Sequence, residues 1–213
     1  MRNTALLAAF GAALLLAAPA QAQDNYRNYP DRPFSMMGGA YIGAYGGYTW
    51  NDADTDFGAD LDVDGGEYGV MVGAEVDGLL DKTVNQMGLG LTGALEIYYT
   101  ESNADDNSAG IDIEKDHDWG ITFRPGLTFL DNNSPMGLKP YGILGWRRAN
   151  FDASAAGLSD DEDFDGFELG LGTEVYAREA IGVRLDYSHV FYEEKNGIDP
   201  DEDSLRLGVL YHF

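Results

Sequence analysis

The last nine residues, Leu205-Arg206-Leu207-Gly208-Val209-Leu210-Tyr211-His212-Phe213, constrain the fold more than any other stretch of the chain. Leu205, Leu207, Val209, Tyr211 and Phe213 fall on one side of an extended strand. Ser204, Arg206, Gly208 and His212 fall on the other, with Leu210 the only apolar intruder. Alternation of period two puts an apolar face against something oily and a mixed face elsewhere. A soluble sandwich seldom ends its chain on its most apolar face with an exposed Phe.

Residues 1–22 read as a secretory signal. Arg2 supplies the positive start, Ala5–Ala18 is apolar apart from Gly11, and Ala20-Gln21-Ala22 is a small-x-small cleavage site. The apolar run is shorter than the roughly 20 residues of a spanning helix. Residues 23–37, rich in Tyr, Asn and Pro, form a polar leader ahead of one domain over 38–213. If an exported chain without a second apolar window crosses a membrane, a closed barrel is what satisfies its backbone in lipid. The absence of cysteine excludes disulfides and thiolate metal sites. A net charge of −24 excludes the basic footprint of a nucleic-acid binder.

Strand patterns follow one another with no helical period between them. Ile42, Ala44, Tyr48 and Trp50 oppose Tyr41, Tyr45 and Thr49 in the first. Tyr68, Val70, Val72 and Val76 oppose Glu67, Met71 and Glu75 in the second. The third sets Leu89, Leu91, Leu95, Ile97 and Tyr99 against Thr92, Glu96 and Tyr98. The fourth sets Trp119, Ile121, Phe123, Leu127 and Phe129 against Asp118, Thr122 and Arg124, with Pro125 awkward on the apolar side. Residues 140–150 alternate weakly, with Leu144 and Trp146 on the apolar side. Phe167, Leu169, Leu171 and Val175 oppose Glu168 and Glu174. Ile181, Val183, Leu185, Tyr187 and Phe191 oppose Arg184, Asp186 and Ser188. With the terminal strand this makes about eight, each near the 9–11 residues of a tilted membrane strand.

Between them, connections alternate in length and charge. Residues 51–66, 101–116, 151–165 and 193–203 read as long acidic loops, whereas 77–86, 131–139 and 177–179 read as short turns. Glu75, Glu96, Arg124, Glu174, Arg184, Asp186 and Arg206 share the face that carries the glycines, so that face is the interior. The apolar face has no partner but lipid. Inside a barrel of this size the charges form an ion-pair network that fills the lumen, or line a narrow cation path. Trp50, Tyr99, Trp119, Trp146 and Phe167 would mark one membrane interface, and Phe129, Tyr211 and Phe213 the other.

Other motifs carry less. Gly88-x-Gly90-x-x-Gly93 matches a dinucleotide fingerprint in letters but lies in a strand pattern with no helix after it. Asp186, Ser188 and His189 suggest a triad, yet alternation sends Ser188 and His189 to opposite faces. Asp60-x-Asp62-x-Asp64-Gly65 begins like a calcium loop, but Met71 stands where the closing acid belongs. Oxygen-only ligands would take Ca²⁺ or Mg²⁺ at the extracellular loops. The plain alternative is a solvated acidic loop.

Three features together, the Ala20-Gln21-Ala22 signal end, the strand Tyr41-Ile42-Gly43-Ala44-Tyr45-Gly46-Gly47-Tyr48 and the strand Leu205–Phe213, resemble those of small Gram-negative outer-membrane β-barrels, OmpA/OmpX-like and opacity- or porin-like. The resemblance implies an all-β, transmembrane, antiparallel up-and-down barrel of the cell outer membrane, with short periplasmic turns and long acidic extracellular loops. It further implies periplasmic chaperones, a barrel-assembly machinery that reads Leu205, Leu207, Val209, Tyr211 and Phe213, and a monomer among outer-membrane lipid and lipopolysaccharide. It names no cofactor. The function expected is that of a non-enzymatic cell-surface barrel, serving envelope integrity or surface interaction through its acidic loops. The alternatives are a narrow porin-like channel for cations or small solutes, and a lipid-modifying barrel enzyme.

Overall fold

The computed structural model describes residues 39–55, 60–76, 89–108, 111–130, 136–155, 158–177, 180–195 and 198–213. The proposed signal and leader, and most of the short links, lie outside the described residues. Eight strands follow in order: β1 (Gly39–Thr55), β2 (Asp60–Val76), β3 (Leu89–Ser108), β4 (Ile111–Leu130), β5 (Met136–Ala155), β6 (Leu158–Ala177), β7 (Ile181–Tyr192) and β8 (Ile198–His212). Each pairs antiparallel with its neighbours in sequence, and β8 pairs with β1 to close the barrel. At the seam the Phe213 amide donates to the Ala40 carbonyl at 3.0 Å, and on the β7 side of β8 the His212 amide donates to the Ala180 carbonyl at 2.8 Å. Closure removes the exposed edges that an open sheet would leave. The end holding Gly39 and Phe213 is called here the terminal rim, and the opposite end the acidic rim.

The two faces divide as the alternation requires. Side chains such as Val70, Leu95, Phe123, Leu144, Leu171, Leu185 and Leu207 stand exposed on the outside, while Glu96, Arg147, Glu168 and Arg184 are buried within. An interior of charge and an exterior of carbon is the reverse of a soluble domain. β5 alternates weakly in sequence because Ile143 faces inward with Lys139, Tyr141 and Arg147, and Leu210 is the matching exception on β8.

Strand length departs from the sequence reading. β3, β4, β5 and β6 each run 20 residues and β1 and β2 each 17, well beyond the expected 9–11. The segments read as long acidic loops are mostly strand: Asn51 to Thr55 continues β1, Glu101 to Ser108 continues β3, and Phe151 to Ala155 continues β5. Aspartate is poor at forming strands on its own. Here the acidic stretches are carried by the ladder below, Asn150 opposite Asp163 and Asp152 opposite Asp161.

Two irregularities in this upper wall matter for the lumen. The β3–β4 register slips between Glu101 and Ala104, and the β4–β5 register slips between Lys115 and His117. Each is a bulge that inserts one residue and reverses the inward-outward sense beyond it. Lys115 and His117, two positions apart, therefore face opposite ways. Lys115 is fully buried and His117 half-exposed. Lower down, the β4–β5 ladder loses pairs around Pro125 and Pro140, which have no amide proton to donate.

Tyrosine and glycine, both abundant, are used together inside. Tyr41, Tyr45, Tyr98 and Tyr141 sit directly opposite Gly73, Gly69, Gly120 and Gly172 on the neighbouring strand. A methyl group added at Gly73 or Gly172 would lie 2.3 Å from the ring opposite, so these positions admit no side chain.

Candidate functional site: the filled lumen and the acidic rim

The lumen is occupied by three storeys of charge. Nearest the terminal rim, Lys139 Nζ lies 2.6 Å from Glu75 and 3.0 Å from Glu174, and His212 Nε2 lies 2.8 Å from Glu174. In the middle storey Glu96 accepts from Arg124 at 2.9 Å, from Arg184 at 2.7 and 2.9 Å, and from the Tyr41 hydroxyl at 2.9 Å. Asp186 accepts from Arg124 at 2.8 Å and from Tyr141.

The upper storey is the largest. Arg206 donates to Glu67 at 2.6 and 3.1 Å and stands 5.2 Å from the ring centres of both Tyr45 and Tyr98. Arg147 donates to Glu168 at 2.8 Å, to the Tyr98 hydroxyl at 2.7 Å and to Glu202. Lys115, turned inward by the bulge, lies 2.7 Å from both Asp118 and Glu202. Above it Ala149, Phe164, Val190 and Tyr192, with Phe151 against them, close the lumen with an apolar lid.

All seven charged residues assigned to the lumen from sequence lie there, in these three storeys. Eight more join them: Glu67, Lys115, Asp118, Lys139, Arg147, Glu168, Glu202 and His212. Lys115 and Glu202 fell in segments read as loops, and Lys139 in a segment read as a turn. Inward alternation continued past the last apolar residue was the signal for Glu202. No local signal marked Lys115, because the bulge inverts its face. Among the described residues, eight buried acids meet six buried bases and His212. An unpaired ion at such depth costs several kcal/mol, so the pairing is what makes the arrangement tenable.

Glu202 sits between the outward-facing Asp201 and Asp203, above the apolar band, and Lys115 beside the exposed Asp116. Burial alone would raise the Glu202 carboxyl, but Lys115 and Arg147 outweigh it and hold it below the usual range. Burial would likewise lower Lys115, and Asp118 and Glu202 reverse this, raising it above the ordinary lysine value. Glu67, Asp118 and Glu202 bring oxygens within 4.8 Å of one another, the spacing of a metal cage. The Lys115 ammonium already holds two of the three.

The Asp60-x-Asp62-x-Asp64-Gly65 motif is not a loop. Asp60, Asp62, Asp64 and Gly65 all belong to β2, with Asp64 exposed and opposite Trp50. Successive same-face positions on a strand are roughly 6.6 Å apart, and the backbone runs straight on through Gly65, where a calcium loop would turn. Gly90 and Gly93 likewise lie within β3, with no helix following. Ser188 points inward, 3.0 Å from Ser204, whereas His189 points outward to Asp203 at 3.0 Å. No triad forms from Asp186, Ser188 and His189.

On the outside, aromatic residues ring the wall below the acidic rim. Trp119 and Trp146 meet edge to face at 4.9 Å, and Arg148 lies 5.6 Å from the Trp146 ring while bonding Asp165 twice at 2.7 Å. Tyr68 and Tyr187 donate to Glu101 and Asp203, each at 2.6 Å. Rings thus lie against the wall with their polar tips tied to carboxylates above. Phe129, Tyr211 and Phe213 stand exposed toward the terminal rim, the last two 5.2 Å apart.

An apolar outer belt between two aromatic rows, around a lumen of paired charge, defines a transmembrane β-barrel. The chain belongs to the outer membrane protein beta-barrel domain family, whose pattern it matches over residues 8–213. It is a barrel of the outer membrane. Among curated relatives it is similar to the 25 kDa outer-membrane immunogenic protein of Brucella ovis, 27% identical over 224 residues and covering 100% of both chains. Among solved structures it is similar to the attachment invasion locus protein Ail of Yersinia pestis, with 15% identity, 82% of this chain and 99% of that one covered, and a TM-score of 0.44. It is also similar to the N-terminal barrel domain of Pseudomonas aeruginosa OprF, with 15% identity, 79% and 97% covered, and a TM-score of 0.37.

Proposed function

We propose that the protein is a non-enzymatic surface barrel, a closed scaffold that holds acidic strand extensions above the outer leaflet, where they serve envelope integrity or contact with external partners. The observation that carries this reading is the filled lumen. Among the described residues, three storeys of paired side chains and an apolar lid fill the lumen, and the cavities at the joins between storeys are of about 10 Å³, too small for a hydrated ion. What remains for function is the outer surface and its acidic rim. There Mg²⁺ or Ca²⁺ would stand between rim carboxylates and the phosphates of lipopolysaccharide, since oxygen-rich anionic surfaces attract hard cations.

Against a barrel enzyme stands the setting of His189. Its ring is bonded to Asp203 and packed on Phe191 at 4.3 Å, and the hydroxyl of Tyr187, on the same outward face of β7, is already given to Asp203. Conductance of the refolded protein in a planar bilayer tests the proposal against its nearest competitor. The expected trace is flat. Steady unitary steps with cation selectivity would replace the closed scaffold with a narrow pore.

A further inference from the structure

The hydrogen bonds described above stay within a storey, and a small cavity lies at each join between storeys. The upper one, about 10 Å³, is bounded by Tyr98 and Arg206 from above and by Glu96, Arg124 and Arg184 from below, with Gly208 in its wall. The lower one, also about 10 Å³, lies between Tyr41 and Tyr141 of the middle storey and Lys139 and Glu174 beneath. That volume is about one water. Cavities lined by carbon stay empty, but those with two to four polar partners hold ordered water that is costly to remove.

We infer that each cavity is a binding site for one buried water, and that the two waters join the three storeys into one continuous hydrogen-bonded network. A single water can accept from a guanidinium or ammonium group of one storey while donating to a carboxylate or tyrosine oxygen of the next. An arginine only donates and a carboxylate only accepts, so neither bridges the join alone, and the Tyr98 hydroxyl is already taken up within the upper storey, accepting from Arg147 and donating to Glu168. The chemistry also selects against an ion. The upper cavity mixes three arginines with Glu96 and Asp186, so a cation would meet the arginines and an anion the acids at the same short range.

Gly208 offers a direct test. A methyl group added there meets its nearest neighbours, Ala44, Arg184 and Met71, at 3.4 Å, an ordinary contact, so Gly208→Ala is accommodated by the wall and projects into the upper cavity. A crystal structure of the refolded full barrel, at a resolution that orders solvent, should show one water in each cavity within hydrogen-bond distance of both adjoining storeys. Gly208→Ala should lose the upper water and keep the lower. Empty cavities in the wild type, halide density in place of water, or side chains closed directly onto one another would overturn the inference, as would an upper water that persists in Gly208→Ala. The wild-type structure alone decides the matter should the variant fail to refold.

Discussion

Replacing Glu96 by Gln should be among the most damaging conservative changes to this barrel, and the structure sets the size of the effect. Glu96 is buried, at 1% exposure, and accepts four hydrogen bonds, three of them from Arg124 and Arg184. Without its charge, two guanidinium groups face each other across the middle storey with Asp186 as their shared acid. An exposed pair would be worth about 0–1 kcal/mol and its loss would hardly register. Breaking a buried one leaves an uncompensated ion and costs about 3–5 kcal/mol. Removing Arg184 as well leaves Arg124 and Asp186 paired one to one at 2.8 Å. The double variant Glu96→Gln/Arg184→Met should therefore recover most of the loss. Urea unfolding of barrels refolded into lipid vesicles would measure all four members of the cycle. A Glu96→Gln cost below about 1 kcal/mol, or simple additivity in the double variant, would mean that water screens the lumen and the storey picture is wrong.

Three further outcomes are expected. Leu207 faces lipid and Arg206 faces Glu67, so Leu207→Arg should cost roughly 2–4 kcal/mol near the midplane, while Arg206→Leu should fail differently, by stranding Glu67 inside. Equal tolerance of both in vesicle refolding would mean that the two faces are misassigned. Lys115→Met leaves Glu67, Asp118, Glu168 and Glu202 against Arg147 and Arg206, two negative charges in surplus, with oxygens of Glu67, Asp118 and Glu202 within 4.8 Å of one another. The variant should be less stable than wild type and regain more stability than wild type gains in millimolar Ca²⁺; calorimetry with and without the ion reads both. Deleting Phe213 removes an outward ring at the terminal rim and the amide that bonds Ala40, and should lower the amount of folded barrel in outer-membrane fractions, with Phe213→Tyr tolerated.

The inward and outward faces of all eight strands were legible because a barrel wall imposes one rule, carbon out and charge in, at every second residue. Even weakly alternating β5 obeyed it once Ile143 was allowed inside. The upper wall was not legible. Asp152 and Asp161 are paired across β5 and β6 on a ladder that starts at Met136 and Ala177 and passes Trp146 and Phe167 on the way, and local propensity argues the other way. Lys115 escaped for a different reason: a one-residue slip in register changed its face without changing its neighbours in sequence. Nor could partners be assigned, since whether Arg206 meets Glu67, 139 positions away, depends on the stagger of the whole closed sheet.

The charge inside the wall has a consequence for how such a chain travels. Among the described residues, seven strands carry a buried ion (Glu75, Glu96, Arg124, Arg147, Glu174, Arg184 and Arg206 are one from each), and β1 is interrupted by glycine at Gly43, Gly46 and Gly47. Each charged residue placed mid-helix opposes insertion by the export channel by about 2.5–3.5 kcal/mol. To that channel, which reads local hydrophobicity before any sheet exists, no strand looks like a stop signal. The side chains that later plug the finished barrel thereby let the unfolded polypeptide pass through the inner membrane toward the outer one, its oily face hidden by nothing more than alternation.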